Sequence, residues 1–124
     1  MDTLNAIEHS PQGQAARQAI GEAAKPPFIF KQYGLVVRQV AKLLHRHGLG
    51  QTLAYIQLRC TGRPNSPYDL LGRQLDRWLL TALGVSAPSA LVAIASRDSR
   101  FYLEASEQAW LFLRAVRQGL EGSS

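Results

Sequence analysis

FKQYGLVVRQVAKLLHRHGLGQTLAYIQLRC, residues 30–60, is the stretch whose reading decides the fold. At about 100° per residue, Tyr33, Val36, Val37, Val40, Leu43 and Leu44 share one apolar face roughly 120° wide. Lys31, Arg38, Lys42, His45 and Arg46 fall on the opposite face, over about 100°. The period is helical up to Gly48, where a glycine suits the left-handed residue that ends a helix. A second helix restarts at once. Leu49, Leu53, Ile56 and Cys60 lie within about 60° on its core face, and Gln51, Thr52, Tyr55 and Arg59 lie on a mostly polar one.

An ordinary wet helix face mixes both signs of charge; this one carries cations alone. From Ala23 to Tyr68 there is no Asp or Glu, and seven cations: Lys25, Lys31, Arg38, Lys42, Arg46, Arg59 and Arg63. The rest of the chain sets seven Arg against nine acids, so this segment supplies more than the whole net charge of +5. Eleven of the fourteen cations are Arg, whose planar fork suits phosphate better than Lys does. A pI near 9.9 points the same way, to a polyanion or an acidic protein surface.

Working outward, residues 2–24 carry a loose helical pattern of Leu4, Ile7, Ala15, Ala16, Ala19, Ile20 and Ala23. Ser10-Pro11 inside it reads as an N-cap followed by a first-position proline. Lys25-Pro26-Pro27 is a stop, with the core helix starting again near Phe30. After the TGRPNS loop, Ser66-Pro67-x-Asp69 opens a helix that runs to Leu83 and buries Leu71, Leu75, Trp78, Leu79, Ala82 and Leu83; Gly84 ends it. Ser86-Ala-Pro88 opens a short apolar helix, Leu91 to Ala95, covered on most sides. Asp98 caps the last helix, whose core stripe is Phe101, Tyr102, Ala105, Ala109, Phe112, Leu113, Val116 and Leu120. No segment alternates with period two. The expected fold is all-α, a single compact bundle of five to seven helices over residues 1–124, with mobile ends at 1–10 and 121–124. The N-terminus has no signal-peptide pattern, a lone Cys60 permits no internal disulfide, and no run reaches a membrane span. A cytoplasmic protein without membrane association is expected.

Catalytic and metal chemistry find no residues to carry them. His45 and His47 point about 200° apart on a helix and cannot share a ligand; His45 belongs to the basic face and His47 to the apolar one. Cys60 sits on a core face as a structural thiol. Asp69, Asp76, Glu104 and Glu107 read as helix-surface charges beside Arg73, Arg77 and Arg114. No phosphate-cradling glycine loop and no Ser/His/Asp arrangement is present, so no enzyme, cofactor or metal is expected. On the last helix, Leu103, Trp110, Arg114 and Arg117 line the side away from its core stripe. Trp110 there either packs on a neighbouring helix or, with the arginines, anchors a protein interface.

A cationic helix followed by His47-Gly48-Leu49-Gly50-Gln51-Thr52-Leu53-Ala54-Tyr55-Ile56 resembles the signature of the small α-helical subunit of type III-B CRISPR (Cmr) effector complexes. That family has a Tyr near the start of the basic helix, here Tyr33, and then Asn-Gly-Leu leading to Thr-Leu-Ala and an aromatic. Tyr68-Asp69-Leu70-Leu71, Leu75 to Trp78-Leu79, and Tyr102 with Ala105, Ala109, Phe112 and Leu113 are similar to its later helices. This chain departs from the family with His47 in place of Asn, Gly34 after the Tyr, and Arg38-Gln39-Val40-Ala41 where a proline-bearing segment is usual. The resemblance implies a non-catalytic subunit that stacks with copies of itself beside the backbone subunits and next to the large subunit. It would line the channel of guide and target RNA in antiviral defence. The expected RNA-binding set is Lys31, Arg38, Lys42, His45, Arg46, Arg59 and Arg63; the expected protein interface is Leu103, Trp110, Arg114 and Arg117. Two readings of another class stand beside it: a helix-turn-helix DNA-binding regulator built on the Gly48 turn, and an adaptor whose basic face meets an acidic protein.

Overall fold

The computed structural model describes residues 10–24 and 27–122; the expectations for Leu4, Ile7, Lys25 and the last two serines lie outside that range. Among the described residues the protein is all-α, with five helices and no strand: α1 Pro11–Ala24, α2 Pro27–Cys60, α3 Pro67–Leu83, α4 Ala90–Ala95 and α5 Ser99–Gly122. α2 starts at Pro27 rather than near Phe30, because a proline is at home in the first helical position. α5 takes in Glu121 and Gly122, which the sequence reading left to the tail.

The caps explain where the helices begin and end. The Ser10 hydroxyl accepts the Gly13 N–H at 3.0 Å, and the Ser66 hydroxyl accepts the Asp69 N–H at 3.2 Å. Gly84 takes the left-handed conformation (φ 66°, ψ 34°) and closes α3 by donating to the Leu80 and Thr81 carbonyls. Asp98 Oδ1 accepts the Phe101 N–H at 3.0 Å. The short α4 is capped by Ser89, not Ser86. Val92 on it is 48% exposed, so one side of α4 is open.

α2 is one 34-residue element bent at a single residue, Gly48. Its φ of 84° is positive as expected, but its ψ of 172° lies far from the left-handed helical value, in a region that only glycine occupies cheaply. The bend leaves the first N–H groups of the second half without helical partners. The Tyr102 hydroxyl on α5 accepts one of them, from Gly50, at 3.0 Å. A Cβ on Gly48 would stand 3.1 Å from that same oxygen. Thr52, expected on a polar face, is buried and donates its hydroxyl to the Gly48 carbonyl at 2.7 Å. Leu49, Leu53 and Ile56 are core as expected, whereas Cys60 is only half-buried.

His45 meets Trp110 and Gly50 meets Tyr102, so the first half of α2 runs antiparallel along α5. Tyr33, Val36, Val37, Val40 and Leu44 are buried there, joined by Ala41. α1 lies across α5 with Ala16, Ala19 and Ala23 buried, close enough that a Cβ on Gly119 would come 2.5 Å from Ile20 Cδ1. α3 inserts Leu71, Leu75, Trp78 and Leu79. Trp78 stacks on Phe112 with centroids 6.1 Å apart and donates to the Gln108 carbonyl at 3.1 Å. Ala82 shares that stripe but sits in the last turn and is exposed; Leu83 is half-buried.

One polar chain crosses this core. Gln74, buried in α3, accepts from the Tyr33 hydroxyl at 2.6 Å and donates to the Ala19 carbonyl at 3.2 Å and to Glu22 Oε1 at 2.9 Å. Glu22 also pairs with Arg77 at 3.1 Å. Burial drives the Tyr33 phenol far above its usual pKa, and the charge of Glu22 adds to it. Asp76, expected as a surface charge, is partly buried and accepts the Ala90 N–H at 3.0 Å. Burial raises its pKa above 3.8, against the opposing effect of that hydrogen bond.

Two outcomes follow from these contacts. Tyr102→Phe keeps the ring and orphans the Gly50 N–H, so thermal unfolding should show a loss of about 1–3 kcal/mol. An unmoved midpoint would mean that water replaces the hydroxyl at no cost. For Asp76, a folded pKa above the unfolded one means that the native state binds more protons, so this group's contribution to stability falls as pH rises between the two values. The melting temperature of Asp76→Asn minus that of the parent should therefore climb with pH across that window, and a flat difference would show that burial does not govern Asp76.

Candidate nucleic-acid interface

The first half of α2 buries its apolar face against α5 and α3, which leaves Lys31, Arg38, Lys42, His45 and Arg46 exposed together. Arg38, Lys42 and Arg46 follow each other at four-residue spacing, one above the next at about 6 Å along the axis. Both salt bridges among the described residues belong to α3, Arg73 with Asp69 at 3.2 Å and Arg77 with Glu22 at 3.1 Å. Glu22 precedes the acid-free segment in sequence, yet it is engaged with Gln74 and Arg77. The positive field of the α2 face thus has no carboxylate of its own to cancel it.

A shallow groove runs along each flank of the cationic ridge. One is lined by Leu35, Arg38, Gln39, Lys42, Leu43, Arg46 and His47. Gln39 at its edge accepts the Tyr68 hydroxyl at 3.0 Å. Tyr68 meets Tyr55 edge to face at 6.0 Å, and the Arg59 guanidinium lies 5.2 Å from the Tyr68 ring centre and 6.0 Å from that of Tyr55. Burial is the main cause pushing the Tyr68 phenol up, with the Arg59 charge opposing it. The other groove is lined by Ala41, Lys42, His45, Arg46, Trp110 and Arg117. The His45 and Trp110 rings there are 6.5 Å apart and tilted by 39°.

The fold thus joins two features that were separate in sequence. Trp110 and Arg117 of α5 stand beside Lys42, His45 and Arg46 of α2. It does not gather the whole expected set. Arg59 lies beyond the Gly48 bend over two tyrosines, and Arg63 is exposed in the loop after α2, where its own backbone makes turn hydrogen bonds. Leu103 and Arg114 are exposed but line neither groove. His47, expected on the apolar face, is exposed, because the bend turns the chain away before it can reach the core. Leu35, 57% exposed, and the Gln39–Tyr68 link were missed. Their only sequence signal was position: Leu35 and Gln39 flank the cationic stripe on one side.

Among the described residues no three of His, Cys, Asp and Glu come together to hold a metal ion, and no helix is long and apolar enough to cross a membrane. The regulator reading is weakened by its second helix: Thr52 is buried, and Arg59, though exposed, lies over two tyrosine rings, which leaves Gln51 and Gln57 as the exposed side chains without such a contact. The family model described as CRISPR-associated protein (Cas_Cmr5) matches residues 11–122. No curated protein matches the chain.

Side chains that meet only solvent can be removed at little cost to the fold. Arg38→Ala, Lys42→Ala and Arg46→Ala should each move stability by less than about 0.5 kcal/mol, while Arg59→Ala should lose about 0.5–1 kcal/mol with its tyrosine contacts. Chemical denaturation of the four variants checks this, and a large loss at Lys42 would assign that side chain to packing instead.

Proposed function

Because the chain belongs to the Cas_Cmr5 family of CRISPR-associated proteins, the small subunits of type III-B complexes, we propose that it is a non-catalytic subunit of a Cmr effector complex whose cationic α2 ridge lies along RNA. The observation that carries this reading is the line of Arg38, Lys42 and Arg46, exposed and without carboxylate partners among the described residues. A ridge of this kind contacts phosphates without reading bases, which suits a subunit that must accept any guide and any target. Lys31 and His45 extend the ridge, and Arg59 and Arg63 add charge beyond the bend. Guide and target RNA are the nucleic-acid partners in this reading, and the complex works in the cytoplasm in antiviral defence.

Leu103, 69% exposed, and Arg114 supply contacts to neighbouring protein, either the backbone and large subunits or another copy of this chain. The two share one side of α5, about 16 Å apart along its axis. The adaptor reading, with an acidic protein on the ridge, makes a different prediction and is decided by the same measurement.

Arg38→Glu, Lys42→Glu and Arg46→Glu combined should leave helicity intact and weaken RNA binding by the assembled complex. With three phosphate contacts gone, the dependence of log K on log salt should flatten by ~2, at roughly 0.7 per phosphate on a single strand. Full incorporation of the triple variant with unchanged RNA affinity at every salt concentration would defeat the proposal.

A further inference from the structure

The chain has two tryptophans, and they are placed in opposite ways. Trp78 is buried, stacked on Phe112, with its indole N–H donated to the Gln108 carbonyl. Trp110 is 38% exposed, and no hydrogen bond ties its indole to the described residues. A tryptophan needed by the core satisfies its N–H as Trp78 does; Trp110 is held at the surface with part of its ring uncovered. It stands at the wall of the groove between α2 and α5, with His45 tilted against it and Lys42, Arg46 and Arg117 around it. No carboxylate lines that groove.

We infer that Trp110 is a nucleobase platform: one base of single-stranded RNA stacks on its exposed ring while Lys42, Arg46 and Arg117 hold the neighbouring phosphates. This rests on the reading of the α2 ridge as an RNA-binding face and adds a site to it. Every base has a π-face, so stacking on an aromatic inside a cationic groove is strong and tolerant of sequence. The groove presents those two elements together, an uncovered indole and three cations. A second copy of this chain docking the same groove on itself would set these cations against their equivalents, with no acid in the groove to compensate. An RNA strand brings the opposite charge and the ring at once. His45 leans against one side of the indole, and a base stacked on the uncovered part of the ring would set the register of the strand along α2.

The test uses the full chain, a fluorescent oligouridylate, and an oligonucleotide of equal length and charge that carries abasic sites, each titrated over a series of salt concentrations. Trp110→Leu keeps an apolar side chain but no π-face; Trp110→Phe restores one. Trp110→Leu should weaken binding to the oligouridylate by roughly 5- to 150-fold, the factor of one stacked base. Its salt slope should stay unchanged, Trp110→Phe should recover most of the loss, and all three proteins should bind the abasic strand alike. Equal loss on the abasic strand, or parent-like binding by Trp110→Leu while the Arg38/Lys42/Arg46→Glu variant fails, overturns the platform and leaves the ridge standing. Parent-like RNA binding by Trp110→Leu together with a fall in oligomeric mass assigns the ring to a protein neighbour and likewise overturns it. If the parent binds no RNA at low salt, or the triple-Glu variant binds as the parent does, platform and ridge fall together.

Discussion

Gly48 is the constraint on which the rest of the molecule depends. Its backbone takes φ 84° and ψ 172°, a conformation that costs any residue with a side chain on the order of 1–3 kcal/mol. The hydroxyl of Tyr102 lies 3.1 Å from where a Cβ would stand and receives the Gly50 N–H that the bend sets free. The bend lets one continuous segment do two jobs. Its first half lies along α5 and turns a cationic ridge outward; its second half packs Leu53 and Ile56 beside Gly72 of α3 and Leu91 of α4. Without the bend, the cations of residues 31–46 would continue into a rod with no second half to bury.

The electrostatics have the same origin. Four of the carboxylates have partners outside the first half of α2. Asp69 pairs with Arg73, Glu22 with Arg77, Asp76 caps the start of α4 and Asp98 caps α5. Each is held by a neighbour that needs it, either an arginine of α3 or an orphan N–H at a helix start. At physiological ionic strength the Debye length is about 8 Å, so an acid neutralises the α2 ridge only from close by, and none pairs with Arg38, Lys42 or Arg46 among the described residues. Excess charge is thereby concentrated on one surface rather than spread over a basic protein.

Much of this was legible in the sequence, and the parts that were not share a physical reason. Helix positions, the caps at Ser10, Ser66 and Asp98, the stop at Gly84 and the apolar stripes all depend on residues within a turn of each other, which a linear pattern records. The segregation of cations from Tyr33, Val37 and Val40 is equally local. Thr52, Gln74 and Asp76 were misread or passed over because their partners are set by the fold. Gln74 is buried only since Tyr33, Ala19 and Glu22 arrive from two other helices to satisfy it. Thr52 is buried because a bend four residues earlier offers it a carbonyl. The meeting of Trp110 with His45 was hidden for the same reason: it depends on the antiparallel register of two helices, which neither helix encodes alone.

The packing of α1 across α5 also bears on how the protein is made. The buried face of α1 is built from Ala16, Ala19 and Ala23, too little apolar surface to hold a helix of that length in water unaided. Its partner in the fold, with Gly119 fitted under Ile20, is α5, which is made after α2, α3 and α4. Translation of the intervening segment takes on the order of seconds at 5–20 residues per second, and throughout that interval the core lacks one of its walls. Nascent helices α2 and α3 can pair early, because their contacts are closer in sequence. The complete core therefore forms only once α5 is synthesised, and a ribosome that stalls within α5 holds a chain with the alanine face of α1 open to chaperones and proteases.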